Sequence, residues 1–200
     1  MTAPLASGDL PEDGRHARRH RSRDLAVDAL LDLLGEGVLR PTAQQVAERS
    51  GVSLRSIFRI FDDVETLNAS ASARQFTRIR HLFVDVVPAG PLAGRIGQVV
   101  GLNSRLYEQI APIRRAALRR APESEALQEQ LERARSWLRA EVERVFAAEV
   151  AAVGNKHVID ALELALSFEA WDRLRTAQGL SVARATAVVR ATINALLRPS

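Results

Sequence analysis

Apolar residues return along the chain at the spacing of helices. Over residues 22–34, Leu25, Ala26, Ala29, Leu30, Leu33 and Leu34 recur every three or four positions, and Gly35, Gly37 and Pro41 predict where that helix ends. Thr42 is a good N-cap with Gln45 three residues on, a capping-box pattern that opens a second helix whose inward positions are Val46 and Ala47. Gly51 turns the chain, and Ser53 caps a third helix with Ile57, Ile60 and Phe61 on one side. Two short helices around a tight turn have the layout of a helix-turn-helix.

Further on, a D-x-x-E pattern at 62–65 predicts a fourth helix running to about residue 85, before Pro88 and Pro91. Residues 92–110 predict a fifth helix, and Pro112 separates it from a short sixth over 113–120. The longest, over 123–153, shows a stripe of Leu127, Leu131, Ala134, Leu138, Val142 and Val145. Residues 156–178 predict an eighth helix, stopped by Gly179, and Ser181 caps a ninth. The expectation is an all-α chain of about nine helices.

The last two predicted helices are apolar on more than one side. A helix of that kind needs several partners, and the economical arrangement is a homodimer in which helices eight and nine of each subunit form a four-helix bundle. Leu162, Leu166, Val189, Ile193 and Leu196 are the expected interface residues.

Composition narrows the classes. The chain of 200 residues is 46% hydrophobic, has no cysteine, and lacks an apolar run long enough for a membrane span. Disulfides and cysteine-based metal sites are therefore excluded, no membrane partner is expected, and the expected location is the cytoplasm. Residues 1–14 carry three acids and no base and read as a disordered tail. Residues 15–60 carry nine arginines against five acids, beginning with a basic arm that includes Arg18, Arg19, Arg21 and Arg23. Such an arm suits either a minor groove or a phosphate backbone. The expected organisation is a tail over 1–14, an arm and DNA-binding domain over 15–62, and a helical effector-binding and dimerisation domain over 63–200.

Residues 42–67 carry a resemblance. Thr42, Val46, Ala47, Gly51, Val52, Ser53, Ser56, Ile57, Phe58, Phe61, Glu65 and Leu67 keep the order and spacing of the reading unit of the TetR family of bacterial transcriptional regulators, with no insertion. Phe58 stands where that family usually has a tyrosine, and Val64 where it usually has a lysine. The resemblance implies a homodimeric regulator that binds double-stranded DNA at a near-palindromic operator, with the same interface through the last two helices. A small-molecule effector would release it.

On the reading helix, Arg55 and Arg59 are the expected DNA contacts, since arginine donates two bonds to guanine. Leu54 suits a thymine methyl, Phe58 takes the family's tyrosine place, and Thr42, Ser53 and Ser56 offer hydroxyls and helix-end N–H groups to phosphates. Phe83, Leu106, Tyr107, Trp137, Phe168 and Trp171 are the candidates to line an effector pocket. The four histidines have no metal-ligand pattern, and phosphate loops and nucleophile elbows are missing, so neither catalysis nor a cofactor or metal is expected. The competing expectation is a dimeric ligand-binding or protein-interaction module of the same fold without specific DNA recognition.

Overall fold

A computed structural model describes residues 12–79 and 86–198. The chain divides into two compact units, Met1–Thr77 and Arg78–Ser200. The described residues contain nine α-helices and no strand, an all-α fold.

In the N-terminal unit, α1 (Glu12–Gly35) precedes α2 (Ala43–Ser50), α3 (Leu54–Ile60) and the start of α4 (Val64–Ile79). The apolar face of α1 is buried at Ala26, Leu30 and Leu33, against α2 and α3, although Leu25, expected on the same stripe, is 53% exposed. α1 starts ten residues before the predicted helix, so the expected flexible arm is helical. Arginine and alanine favour helix, and Arg23 ties the segment down by donating to the Ser70 hydroxyl at 2.8 Å and lying over the Phe61 ring at 5.4 Å. Further along α1, Asp24 and Asp28 both hold Arg74 of α4. Of the tail predicted over 1–14, residues 1–11 lie outside the described residues.

The C-terminal unit contains α5 (Leu92–Arg120), α6 (Glu125–Val153), α7 (Val158–Leu166), α8 (Phe168–Asp172) and α9 (Val182–Leu196). Its core is centred on fully covered residues such as Ile96, Phe146, Leu162 and Ile193. Along the chain the predicted helix boundaries need three corrections. Pro112 does not separate two helices but lies inside α5. The missing N–H costs about 3 kcal/mol in a helix interior, and burial on both sides of it, at Leu106, Tyr107 and Ala116, offsets that cost. Conversely, the predicted eighth helix is broken at Ser167, whose backbone is extended (φ −67, ψ 156) and whose hydroxyl caps α8 by accepting from the Ala170 N–H at 3.1 Å. α8 then widens into a π turn over Arg173–Ala177. Finally, α4 opens one residue later than the D-x-x-E pattern predicts: Asp63 rather than Asp62 caps it, accepting from the Thr66 N–H at 2.6 Å.

Two buried polar groups hold the turn at Ser167 and a bend within α6. The Tyr107 hydroxyl donates to the Leu166 carbonyl at 2.7 Å, satisfying an oxygen released by the turn at Ser167. Arg95, 8% exposed, pairs with Glu149 and donates to the Val145 carbonyl at 2.6 Å, just where α6 bends at Phe146 (φ −114, ψ 19). Its guanidinium also lies over the Phe146 ring.

The expected dimer residues are largely covered within the single chain. Leu162, Leu166, Val189 and Ile193 are buried in the chain's own core, and Leu196 is half-buried against it. α9 packs on both α5 and α7, and α6 covers another side of α7, so the partners these residues need come from within a single chain. The apolar residues that α7 and α9 leave uncovered are Leu164, 68% exposed, together with Val182 and Val188.

Candidate nucleic-acid interface

The frame of the helix-turn-helix is built from local hydrogen bonds. Thr42 accepts the Gln45 N–H at 3.2 Å while its own N–H donates to the Gln45 carboxamide oxygen at 2.8 Å, a complete capping box at the start of α2. α2 ends on Gly51, whose φ of 70 is left-handed and whose N–H closes on the Ala47 carbonyl at 3.0 Å. After the turn, Ser53 caps α3 by accepting from the Ser56 N–H at 3.2 Å. The inward positions Val46, Val52, Ile57, Ile60 and Phe61 are buried. Every polar group needed to stop, turn and restart the chain is supplied within the segment.

The remaining side of α3 faces solvent. Arg55, Phe58 and Arg59 are exposed and Leu54 is half-buried. Among the described residues, neither Arg55 nor Arg59 has an ion-pair or hydrogen-bond partner. Arg49, two residues before the glycine, differs: Glu36 holds it through two bonds of 2.7 Å, an arrangement that raises the arginine pKa and lowers that of the carboxylate. Among the described residues of α2 and α3, the arginines without such a partner are thus Arg55 and Arg59, both on α3.

The hydroxyl candidates are less available. Those of Thr42 and Ser53 act as caps, and Ser53 also donates to the Ser56 hydroxyl at 2.9 Å. Of the arm, Arg18, Arg19 and Arg21 are exposed on the first turns of α1. Arg23 is engaged with Ser70 and Phe61. Val64, at the start of α4, is 43% exposed.

Among the described residues, those predicted to line an effector pocket do not enclose one together. Phe83 lies outside the described residues. Tyr107, Phe168 and Trp171 are core residues: the Tyr107 ring meets Phe168 edge to face at 5.6 Å, and the Trp171 indole N–H donates to Glu108 at 2.9 Å. Burial pushes the Tyr107 phenol well above its ordinary pKa. Two cavities border this set. One, of about 10 Å³, touches Tyr107 and Trp171; the other, of about 20 Å³, touches Leu106 and the 44% exposed Trp137. Each is on the scale of one water, far below the several hundred Å³ of a usual ligand site. Asn103 borders both, and its side-chain amide nitrogen is buried without a hydrogen-bond partner. The sequence reading missed it because an asparagine within a long helix carries no local signal.

Among the described residues no group of three or more acidic or histidine side chains is disposed to hold a metal, and no helix is long and apolar enough to cross a membrane. No model of a known protein family matches the chain, and no curated protein is similar enough in sequence to serve as a relative.

Proposed function

We propose that the chain is a homodimeric, sequence-specific DNA-binding regulator of transcription, a repressor released by a small molecule, with α3 as the element that enters the major groove. One observation carries this reading: α3 presents two exposed arginines, Arg55 and Arg59, without partners among the described residues, on a short helix whose capped ends and buried inner face fix its orientation. Arginine at such a place donates to guanine acceptors or to phosphates. The resemblance of residues 42–67 to the TetR reading unit supports the same assignment. In a dimer, two such helices reach successive major grooves about 34 Å apart on one face of B-DNA, so the operator is two-fold related. Release then requires only that the effector bind one of two conformations more tightly.

Selection from random double-stranded DNA tests the proposal. The expected result is an enriched near-palindrome whose affinity falls in both Arg55→Ala and Arg59→Ala. A base-reading arginine loses discrimination at one base pair, about 1–3 kcal/mol, whereas a phosphate-binding one loses affinity on all sequences alike. Absence of any enriched sequence would favour a second reading, a dimeric binding module without specific DNA recognition. Exposed Phe58 and Val64 favour that reading, since neither side chain can donate to a phosphate.

A further inference from the structure

The exposed face of α3 carries two kinds of chemistry in adjacent rows. Leu54 and Phe58 are four residues apart and therefore lie one above the other, and Arg55 and Arg59 repeat that spacing about 100° further round. Phe58 is 54% exposed, so a phenyl ring stands in water beside two guanidinium groups that have no partner among the described residues. Its aliphatic neighbours in sequence, Ile57 and Ile60, are buried, which leaves Phe58 outside the core that orders the helix. A phosphate cannot be its target, because a phenyl ring has no proton to donate. The surface instead fits a partner that offers anionic or acceptor groups close to small apolar knobs. On the floor of the major groove the apolar group is the thymine 5-methyl, set beside the acceptors of neighbouring purines.

We infer that Phe58, with Leu54 one turn before it, is a specificity determinant that packs on thymine 5-methyl groups, while Arg55 and Arg59 take acceptors or phosphates alongside. This rests on the reading of α3 as the DNA-reading helix and adds the base class that each half-site must contain. The row predicts a thymine requirement that no hydrogen bond enforces.

Deoxyuridine substitution isolates the methyl group, since it removes that carbon and leaves every hydrogen-bonding atom in place. The operator obtained by selection is resynthesised with single thymines replaced symmetrically in both half-sites, and affinities are measured at fixed salt. Burial of one methyl is worth about fourfold in affinity, so a symmetric pair lowers it roughly 15-fold at the contacted position. In Phe58→Ala, the same substitution has little further effect, and Leu54→Ala shows the same loss of sensitivity at a neighbouring thymine. The uridine series on the unaltered protein stands whether or not the variants fold. If a specific operator exists and no uridine substitution weakens it, the inference is overturned while the DNA-reading assignment stands. Methyl sensitivity that survives unchanged in folded Phe58→Ala and Leu54→Ala overturns it as well. If selection enriches no sequence, both fall.

Discussion

Leu162 and Leu164 sit two residues apart on α7 and provide an internal control for self-association. Leu162 is fully covered by the chain's own core, whereas Leu164 is 68% exposed. Truncation of a buried leucine to alanine removes its transfer free energy and leaves a cavity, so Leu162→Ala costs about 2–5 kcal/mol of stability. Leu164→Ala removes atoms that mostly face water and changes stability of the isolated chain by no more than about 0.5 kcal/mol. If α7 contributes to a dimer interface, association covers the exposed two-thirds of Leu164 in each subunit. Full burial of a leucine is worth about 1.5–3 kcal/mol, so the loss is roughly 1–2 kcal/mol per subunit and, by symmetry, about 2–4 kcal/mol per dimer. That is roughly a 30- to 900-fold increase in the dimer Kd, read by sedimentation equilibrium across a dilution series, with thermal denaturation in parallel. The expected signatures are opposite: Leu162→Ala melts early, and Leu164→Ala dissociates while melting normally once concentration is matched above its Kd. A native chain that is monomeric at micromolar concentration refutes the dimer, and unchanged association in Leu164→Ala removes this face of α7 from it.

Three further outcomes follow from particular groups. Tyr107 is the only tyrosine, and burial raises its pKa; tyrosinate absorbance therefore reports one residue. Because the folded pKa lies above the unfolded value near 10, its contribution to stability is complete below that pH and is lost as pH rises. A titration midpoint near 10 with the fold intact would refute its burial. Glu149 is held below the usual carboxylate range by its bond to buried Arg95, so its contribution is present above pH ~4.5 and is lost on acidification. Glu149→Ala, which strands Arg95, should cost about 3–5 kcal/mol in urea denaturation, while Arg95→Met with Glu149→Leu recovers most of that loss; equal losses in the single and double variants would show that the pair's attraction, not a stranded charge, sets the cost. Val64→Lys should steepen the salt dependence of operator affinity by roughly 2 per dimer, from about 0.9 per added phosphate contact in each half-site. A slope that does not move means that the start of α4 is away from the DNA backbone.

What the sequence revealed clearly was what short-range chemistry determines. Thr42 with Gln45, Gly51, and Ser53 each act on groups within a few residues, so the limits of α2 and α3 were readable directly. The turn at Ser167 was not, because the hydroxyl that takes up the Leu166 carbonyl belongs to Tyr107, 59 residues earlier. Likewise the bend at Phe146 depends on Arg95, 50 residues before the carbonyl it binds. Pro112 misled in the other direction, since tertiary burial can outweigh a proline's local cost. One fusion and one split offset each other, so the helix count agreed although the partition did not. The burial of the expected interface residues within the chain has a related reason: a helix apolar on several sides announces that it has several partners, but not whether they belong to another chain. Exposure of Arg55 and Arg59 followed from their offset against Ile57 and Ile60, while the engagement of Arg23 with Ser70 and Phe61 left no trace in spacing.

The helical form of residues 12–23 changes what the basic segment can do on a duplex. An α-helix rises 1.5 Å per residue and is about 10 Å across with its side chains, wider than a minor groove of roughly 6 Å. From Arg18 to Arg23 the backbone therefore advances only about 7.5 Å, less than half the span of an extended arm. The segment is anchored through Arg23 to Phe61 of the core that orients α3. On the proposed DNA-binding reading it would therefore be an outrigger at the backbone rather than a thread in the groove. Its arginines would reach few phosphates, but binding would not need to freeze a loose chain, a saving of about 1–2 kcal/mol for each residue already ordered.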